Sequence, residues 1–135
     1  MQHLFETHKV TSINASMSEL KRTALHEACE RGRYNACDYL IQQGADVFCQ
    51  DCRLATPCHV AARRGFEKIV QVLVYKYPNV TLMQDINGKT PLHLAIEFQK
   101  NNGGSTNSSI ALFLIESMSK VSIFLYIIVY ESYIC

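Results

Sequence analysis

The sequence predicts an all-α solenoid of about three helix–turn–helix units with projecting β-turn fingers, and three observations support this. A Thr-x-x-His motif recurs three times, with its histidines 33 and then 34 residues apart. A glycine follows the first two motifs at the same offset. An apolar stripe with i, i+3, i+4 spacing follows each of these glycines. Because a fixed period of this length indicates stacked repeat units, the three features together define the fold class.

Each unit is predicted to begin at a threonine that caps a short helix. Threonine is a favoured N-cap, and proline suits the first helical position because its missing N–H would have no partner there. Alanine replaces the proline in the first unit, which predicts a slightly weaker cap there. The three motifs are Thr23-Ala24-Leu25-His26, Thr56-Pro57-Cys58-His59 and Thr90-Pro91-Leu92-His93.

A second, antiparallel helix is predicted to follow each capped helix. Gly32 and Gly65 stand where a left-handed residue ends the first helix. The apolar stripe then gives the second helix one buried face. The stripes are Ala36, Cys37, Leu40 and Ile41 in the first unit, Ile69, Val70, Leu73 and Val74 in the second, and Ile110, Phe113 and Leu114 in the third. The short side chains of Asp46, Asp51 and Asp85 predict turns that hydrogen-bond the local backbone.

These motifs resemble ankyrin repeats. Thr90 to Ala95 matches the Thr-Pro-Leu-His-x-Ala core throughout, and the resemblance covers roughly residues 23–118. It implies an L-shaped stack of helix pairs with fingers on one side, and a function in binding other proteins without chemistry of its own. The residues that it assigns to the repeat structure are Thr23, His26, Gly32, Thr56, Pro57, His59, Gly65, Thr90, Pro91 and His93.

The repeat pattern divides the chain into three repeats with non-repeat ends. We expect an N-terminal cap or partial repeat over 1–20, then repeat 1 over 21–51, repeat 2 over 52–85 and repeat 3 over 86–120. Repeat 3 contains a Gly/Ser/Asn-rich insertion at 101–109. The first interpretation of this insertion is a flexible loop that is tolerated at little cost. The alternative is a loop that contacts a partner or is modified.

The apolar tail at 121–135 does not follow the repeat pattern. Of the 25 formal charges, 24 precede Val121 and only Glu131 follows it. Three interpretations compete. The tail is a cap that folds back on the stack, a weak membrane anchor shorter than the roughly 20 residues of a spanning helix, or the end of a longer array shortened by alternative splicing or truncation. We favour the third, because the array stops where another repeat should begin.

Composition and targeting signals predict a cytoplasmic and/or nuclear protein without a metal. Residues 1–10 lack the apolar core of a secretory signal, so we expect the six cysteines to be reduced. A formal charge of +1 argues against a nucleic-acid partner. Cys49 and Cys52 resemble half of a zinc ribbon, but no second ligand pair follows them. The periodic histidines lie on helices roughly 8–10 Å apart, too far to share one zinc ion. We expect each of them instead to form hydrogen bonds within its own repeat, to the capping threonine and to nearby backbone.

The expected function is that of an adaptor or inhibitor in signalling that binds a partner protein, with no nucleic acid and no small-molecule substrate. We expect no enzyme activity and no cofactor, since no phosphate-binding loop, serine-nucleophile or zinc-protease motif occurs. The alternative is the repeat segment of a truncated or alternatively ended longer protein, a membrane channel or multidomain scaffold, with the tail as a weak membrane anchor. By analogy with the family, the partner binds a concave surface of fingers and first helices. The residues expected there are Glu27, Glu30, Arg31, Arg53, Leu54, Val60, Arg63, Arg64, Ile86, Asn87, Lys89, Leu94, Glu97 and Phe98.

Overall fold

A computed structural model describes residues 13–16, 19–103 and 110–119, and over these ranges the chain is helical with no strand. The helices are α1 (Ala24–Glu30), α2 (Tyr34–Gln42), α3 (Pro57–Arg64), α4 (Glu67–Lys76), a 3-10 helix (Pro78–Leu82), α5 (Pro91–Asn101) and α6 (110–119). The prediction of an all-α repeat solenoid is confirmed. The tail at 121–135, residues 104–109 of the insertion, and most of the N-terminal segment lie outside the described residues.

The predicted threonine caps are present at the start of all three first helices. In repeat 2, the Thr56 hydroxyl accepts a hydrogen bond from the His59 backbone N–H at 3.3 Å. His59 Nδ1 in turn accepts the Thr56 backbone N–H at 3.2 Å. Repeats 1 and 3 form the same reciprocal box. Each box satisfies two backbone donors that the first helical turn would otherwise leave without a partner.

The histidine of the capping box also joins its repeat to the next one. His26 Nε2 lies 2.9 Å from the Ala55 carbonyl oxygen, and His59 Nε2 lies 2.9 Å from that of Lys89. Because Nδ1 accepts the threonine N–H, the ring proton is on Nε2 and is donated to the carbonyl. The sequence predicted bonds within one repeat only. That prediction was incomplete, because Nε2 reaches across the repeat interface.

Acid is expected to weaken the fold through these two buried histidines. Burial lowers the pKa of His26 and of His59 below 6.5, although the bonded carbonyls oppose the shift. The unfolded chain therefore binds protons more readily than the folded chain. The contribution of the two neutral histidines to the free energy of unfolding is complete above pH 6.5 and is lost as the pH falls towards their folded-state pKa. We expect urea melts to give a free energy of unfolding about 1–2 kcal/mol lower at pH 5.5 than at pH 7. An unchanged value would contradict this account.

The core lies between the helix pairs and is formed by the predicted stripes. All four stripe residues of repeat 2 are at most 2% exposed, and Cys37 and Ile41 of repeat 1 are also buried. Ala61 and Ala95 are 0% and 1% exposed, so these small residues let α3 and α5 lie close to their neighbours. Gly65 ends α3 with φ +78°, the left-handed conformation predicted for it.

The fingers of successive repeats pair with each other in register. The Cys52 N–H donates to the Leu20 carbonyl at 2.8 Å, and the Ile86 N–H donates to that of Arg53 at 2.8 Å. Residues 19–22 therefore form the finger of repeat 1. The left-handed residue of the finger turn is Lys21 (φ 57°), Leu54 (φ 59°) or Gly88 (φ 75°) in the three repeats. Two non-glycine residues thus adopt a conformation that favours glycine.

We expect Leu54→Gly to stabilise the protein. A non-glycine residue in the left-handed region costs about 1–2 kcal/mol. The Leu54 side chain is 45% exposed, so its removal sacrifices little packing. Part of the gain is offset by the greater freedom of glycine in the unfolded chain, which leaves a net increase of about 0.5–1 kcal/mol in the free energy of unfolding. The reciprocal variant Gly88→Leu should lose about as much. A Leu54→Gly protein no more stable than the parent would show that the turn is unstrained.

Candidate protein-binding groove

A groove on the finger side of the stack runs between the fingers and the first helices of repeats 2 and 3. Its volume is about 190 Å³, less than the roughly 300–1,000 Å³ of typical small-molecule pockets. It is lined by Asp51, Arg53, Ala55, His59, Val60, Arg63, Asp85, Ile86, Asn87, Lys89, Leu94 and Glu97. Eight of the fourteen residues expected to bind a partner are among them: Arg53, Val60, Arg63, Ile86, Asn87, Lys89, Leu94 and Glu97.

Aspartates hold the fingers that form one wall of the groove. Asp51 Oδ1 accepts backbone N–H groups from Arg53 at 2.8 Å and from Ala55 at 3.0 Å. Asp85 Oδ1 accepts the N–H groups two and four residues further on, at 2.9 and 3.0 Å. The predicted role of these aspartates in the turns is confirmed. Their carboxylates fix the finger backbone, so each finger presents its remaining side chains from a defined position.

Apolar side chains in and beside the groove differ widely in their exposure. Ile86 is 62% exposed at the tip of a finger, and Leu54 is 45% exposed on the neighbouring finger. Val60 is only 1% exposed and packs in the core, so it offers a partner almost no surface. Leu94 is partly buried against the core and also lines the groove. Ile86 and Leu54 are therefore the apolar groups most available for contact.

A cluster of three arginines around Glu30 lies beside the groove and joins repeats 1 and 2. Glu30 accepts hydrogen bonds from Arg22 at 3.2 Å, from Arg63 at 3.1 Å, and from Arg64 Nε at 2.9 Å. Burial raises the pKa of Glu30, but the bonds from Arg64 and Arg22 and the charge of Arg63 outweigh it and lower the pKa to about 2. The carboxylate therefore stays ionised throughout the physiological range.

Glu30→Gln is expected to lower the free energy of unfolding by about 1 kcal/mol at pH 7, since Arg63 and Arg64 are about half exposed and solvent screens the pairs. Because the folded-state pKa is depressed from 4.5 to about 2, the stabilisation is complete above pH 4.5 and is lost as the pH falls towards 2. The difference between parent and variant in urea melts should therefore shrink below pH 4.5. Glu19→Gln, at an exposed position, is the control and should have no effect. A constant difference from pH 6 to pH 2.5 would argue against the ion pairs.

The other six expected partner-binding residues lie outside the groove lining. Besides Glu30, Arg64 and Leu54, they include Glu27 on α1 and Arg31 at its C-cap, which form an ion pair at 4.0 Å. The sixth, Phe98, is half-buried with its ring over Gly65, where an added Cβ would lie 2.5 Å from the ring. Within the groove, Lys89 forms an ion pair with Glu97 that raises the pKa of Lys89. Whether any of these residues contacts a partner stays a prediction.

Four groove-lining residues are not among those predicted to bind a partner. Asp51, Ala55, His59 and Asp85 line it together with the predicted residues. The repeat pattern assigns the aspartates and the histidine to the repeat structure alone. The positions of the two aspartates beside Arg53 and Asn87 could have indicated this, because residues that fix the backbone of a finger also lie next to the side chains that the finger exposes.

The five described cysteines fall into two groups, three in the core and two near the finger of repeat 2. Cys29, Cys37 and Cys58 are buried, and burial raises the pKa of Cys58 to about 12. Cys52 is exposed, whereas Cys49 is half-buried and has a pKa raised by burial. In the described ranges, no group of three or more His, Cys, Asp or Glu side chains is arranged to hold a metal ion. None of the described helices has the length and apolar character needed to span a membrane.

The stacked helix pairs, the paired fingers and the groove beside them define a helical repeat solenoid. Residues 25–74 match the protein family described as "Ankyrin repeats (many copies)". Residues 25–74 therefore form ankyrin repeats, in agreement with the resemblance of the Thr-x-x-His motifs.

Curated relatives share part of this chain and are themselves much longer. The chain is 39% identical over 83 residues to "Transient receptor potential cation channel subfamily A member 1" of Homo sapiens, covering 59% of this chain and 7% of the relative. It is 36% identical over 89 residues to "SMC5-SMC6 complex localization factor protein 1" of Bos taurus, covering 64% and 8%. It is 34% identical over 80 residues to "Target of rapamycin complex 2 subunit AVO2" of Saccharomyces cerevisiae, covering 58% and 19%. The chain thus matches less than a fifth of the length of each.

Proposed function

We propose that this chain is a protein-interaction module, an adaptor or inhibitor of the cytoplasm or nucleus, that binds a partner protein along the groove. Ankyrin repeats mediate protein–protein interactions. The proposal adds which surface of this chain binds the partner. The observation that carries it is the convergence on one groove of seven predicted residues with exposed or half-buried side chains, from two repeats. The eighth, Val60, is buried. Exposed apolar Ile86 beside charged Arg53 and Lys89 gives the groove an apolar anchor with a polar rim, as at protein interfaces.

The state of the titratable groups in the groove supports a binding role rather than a catalytic one. His59 has one ring nitrogen on Thr56 and the other on the Lys89 carbonyl. The Asp51 and Asp85 carboxylates accept finger N–H groups, so they serve the backbone. A general base must reach a substrate proton, and these three groups are engaged within the fold.

A second candidate is that the chain corresponds to the repeat segment of a longer protein, such as a membrane channel or a multidomain scaffold. The observation that favours it is the length of the relatives, which exceed the matched segment more than fivefold. In both candidates the groove binds a protein. They differ in whether that partner is a separate chain or another domain of the same protein.

A photo-crosslinking experiment tests the groove. We would place a photo-reactive phenylalanine analogue at Ile86, which is exposed on a finger, or at Tyr75, which is 85% exposed on α4 away from the groove. Irradiation of cells that express the full chain should reproducibly yield one crosslinked partner protein when the analogue is at position 86, and none when it is at position 75. Arg53→Gln and Leu54→Ala in the Ile86 background should reduce the yield. Crosslinks obtained only from Tyr75 would contradict the proposal.

A further inference from the structure

Several positions that are buried in repeats 1 and 2 are exposed or only partly buried at their equivalents in repeat 3. Four sets of equivalent residues show this. Leu25 and Cys58, His26 and His59, Cys29 and Ala62, and Ile41 and Val74 are all at most 5% exposed. Their counterparts in repeat 3 are partly buried Leu92, exposed His93, Ile96 at 38% and Ile115 at 50%. We call these four residues the terminal face.

His93 shows what the terminal face is prepared to receive. Its Nδ1 accepts the Thr90 N–H at 3.0 Å, as in the other repeats, so the ring proton is again on Nε2. In repeats 1 and 2 this proton is donated to a backbone carbonyl of the following segment. Within the described part of the chain, no carbonyl is paired with His93 Nε2. The face therefore combines apolar side chains with one directed hydrogen-bond donor.

We propose that residues 121–130 of this same chain cover the terminal face. The carbonyls that accept from His26 and His59 lie 13 residues after the last residues of α2 and α4, Gln42 and Lys76. The stripe of α6 follows that of α4 by 41 residues, from Ile69 to Ile110. The same offset takes Lys89 to Tyr130, so the chain is long enough to supply the carbonyl.

The side chains of this segment also suit the terminal face. The 41-residue offset aligns Val121 with Val80, which is 0% exposed, and through it with Val47, which is 2% exposed. Residues 121–130 contain no charged side chain, so their burial against Ile96 and Ile115 removes apolar surface from water without desolvating a charge. A segment that directly follows α6 is present at a high effective concentration, which favours it over a second copy of the chain.

Hydrogen–deuterium exchange of the full-length chain, read by mass spectrometry, tests this proposal. At a concentration where sedimentation shows a monomer, amides of residues 121–130 should exchange at least tenfold more slowly than unstructured amides. Val121→Asp should abolish this protection while α3 and α4 remain protected. Ile115→Asp should do the same, and protection of residues 91–101 in the same spectra reports whether repeat 3 is still folded. Tyr75→Asp, which adds a charge at an 85% exposed position on α4, should change nothing.

Three outcomes would overturn the proposal. The first is unprotected exchange of 121–130 in the parent while the repeats stay protected. The second is protection that appears only as sedimentation shows dimers, which would assign the terminal face to a second copy. The third is protection that requires phosphatidylcholine vesicles, which would assign the segment to a lipid surface. Unchanged protection in Val121→Asp would overturn the alignment with Val80.

Discussion

Replacing His59 by alanine is expected to lower the free energy of unfolding by about 3 kcal/mol, because the variant leaves the buried Thr56 N–H without an acceptor, removes one of the two hydrogen bonds to the Lys89 carbonyl and opens a cavity. The Thr56 N–H loses its acceptor, and the Lys89 carbonyl loses the donor that joins repeat 2 to repeat 3. The His59 side chain is fully buried, so the fold has no solvent at that position to take its place. Urea melts of parent and variant at pH 7 measure the difference.

Thr56→Ala is the matched control for His59→Ala. It removes the hydroxyl of the cap, whose loss costs about 1 kcal/mol, but leaves the bond from His59 Nε2 to Lys89 in place. The excess cost of His59→Ala over Thr56→Ala therefore includes the bond across the interface, together with the lost acceptor of the Thr56 N–H and the cavity. Equal costs for the two variants would mean that the bond across the interface adds nothing to stability.

The sequence predicted the part of this histidine network that is local. Thr56 and His59 are three residues apart at a helix start, so helical geometry alone brings them together. The Lys89 carbonyl is 30 residues further along the chain, and its distance from His59 depends on how closely the repeats stack. Periodicity gives the order of the repeats but not the ångström-scale offset between them. For that reason the bond within the repeat was predictable and the bond between repeats was not.

The candidate site was predictable as a surface, but the state of its charges was not. The repeat pattern leaves finger and first-helix positions free to vary, and eight of those positions line the groove. Glu30, Arg63 and Arg64 were chosen by the same rule, yet they bind each other across the interface of repeats 1 and 2. Their pairing depends on long side chains that meet only once the repeats are stacked. A pattern of residue types contains no information on those rotamers.

The backbone conformation of the finger turns is likewise not predictable from residue type alone. Glycine occupies the left-handed position at Gly88 but is absent from the fingers of repeats 1 and 2. The backbone adopts the same conformation at Lys21 and Leu54 because pairing between neighbouring fingers imposes it. The preference of a single residue is worth about 1 kcal/mol, which the hydrogen bonds of a finger can outweigh.

Phe98 was predicted as an anchor for a partner, and the structure gives it a contact within the stack. Its ring lies over Gly65, just as the ring of Phe66 lies over Gly32. The two aromatic residues follow their glycines by 33 and 34 residues but occupy different repeat positions, Phe66 at the start of α4 and Phe98 within α5. Because it has no Cβ, the glycine that ends the first helix of one repeat thus leaves room for an aromatic ring from the next repeat.

Gly65→Ala should therefore cost more than the backbone conformation alone explains. At φ +78° an alanine pays about 1–2 kcal/mol of strain. Its Cβ would also lie 2.5 Å from the Phe98 ring, which must move and lose packing, for a total loss of about 2–3 kcal/mol. Gly44→Ala is the matched control, since Gly44 has φ +90° and no atom within 4 Å of an added Cβ. Gly44→Ala should lower the free energy of unfolding only by the cost of the left-handed backbone conformation.

The double variant Gly65→Ala/Phe98→Ala separates the two contributions to the cost of Gly65→Ala. If the added methyl group acts by displacing the Phe98 ring, Gly65→Ala should cost about as little in the Phe98→Ala background as Gly44→Ala does in the parent. The coupling free energy from urea melts of the four proteins then measures how strongly this ring fastens repeat 3 to repeat 2. If Gly65→Ala and Gly44→Ala prove equally costly in the parent, the ring turns aside freely, and Phe98 is then available to a partner as the sequence suggested.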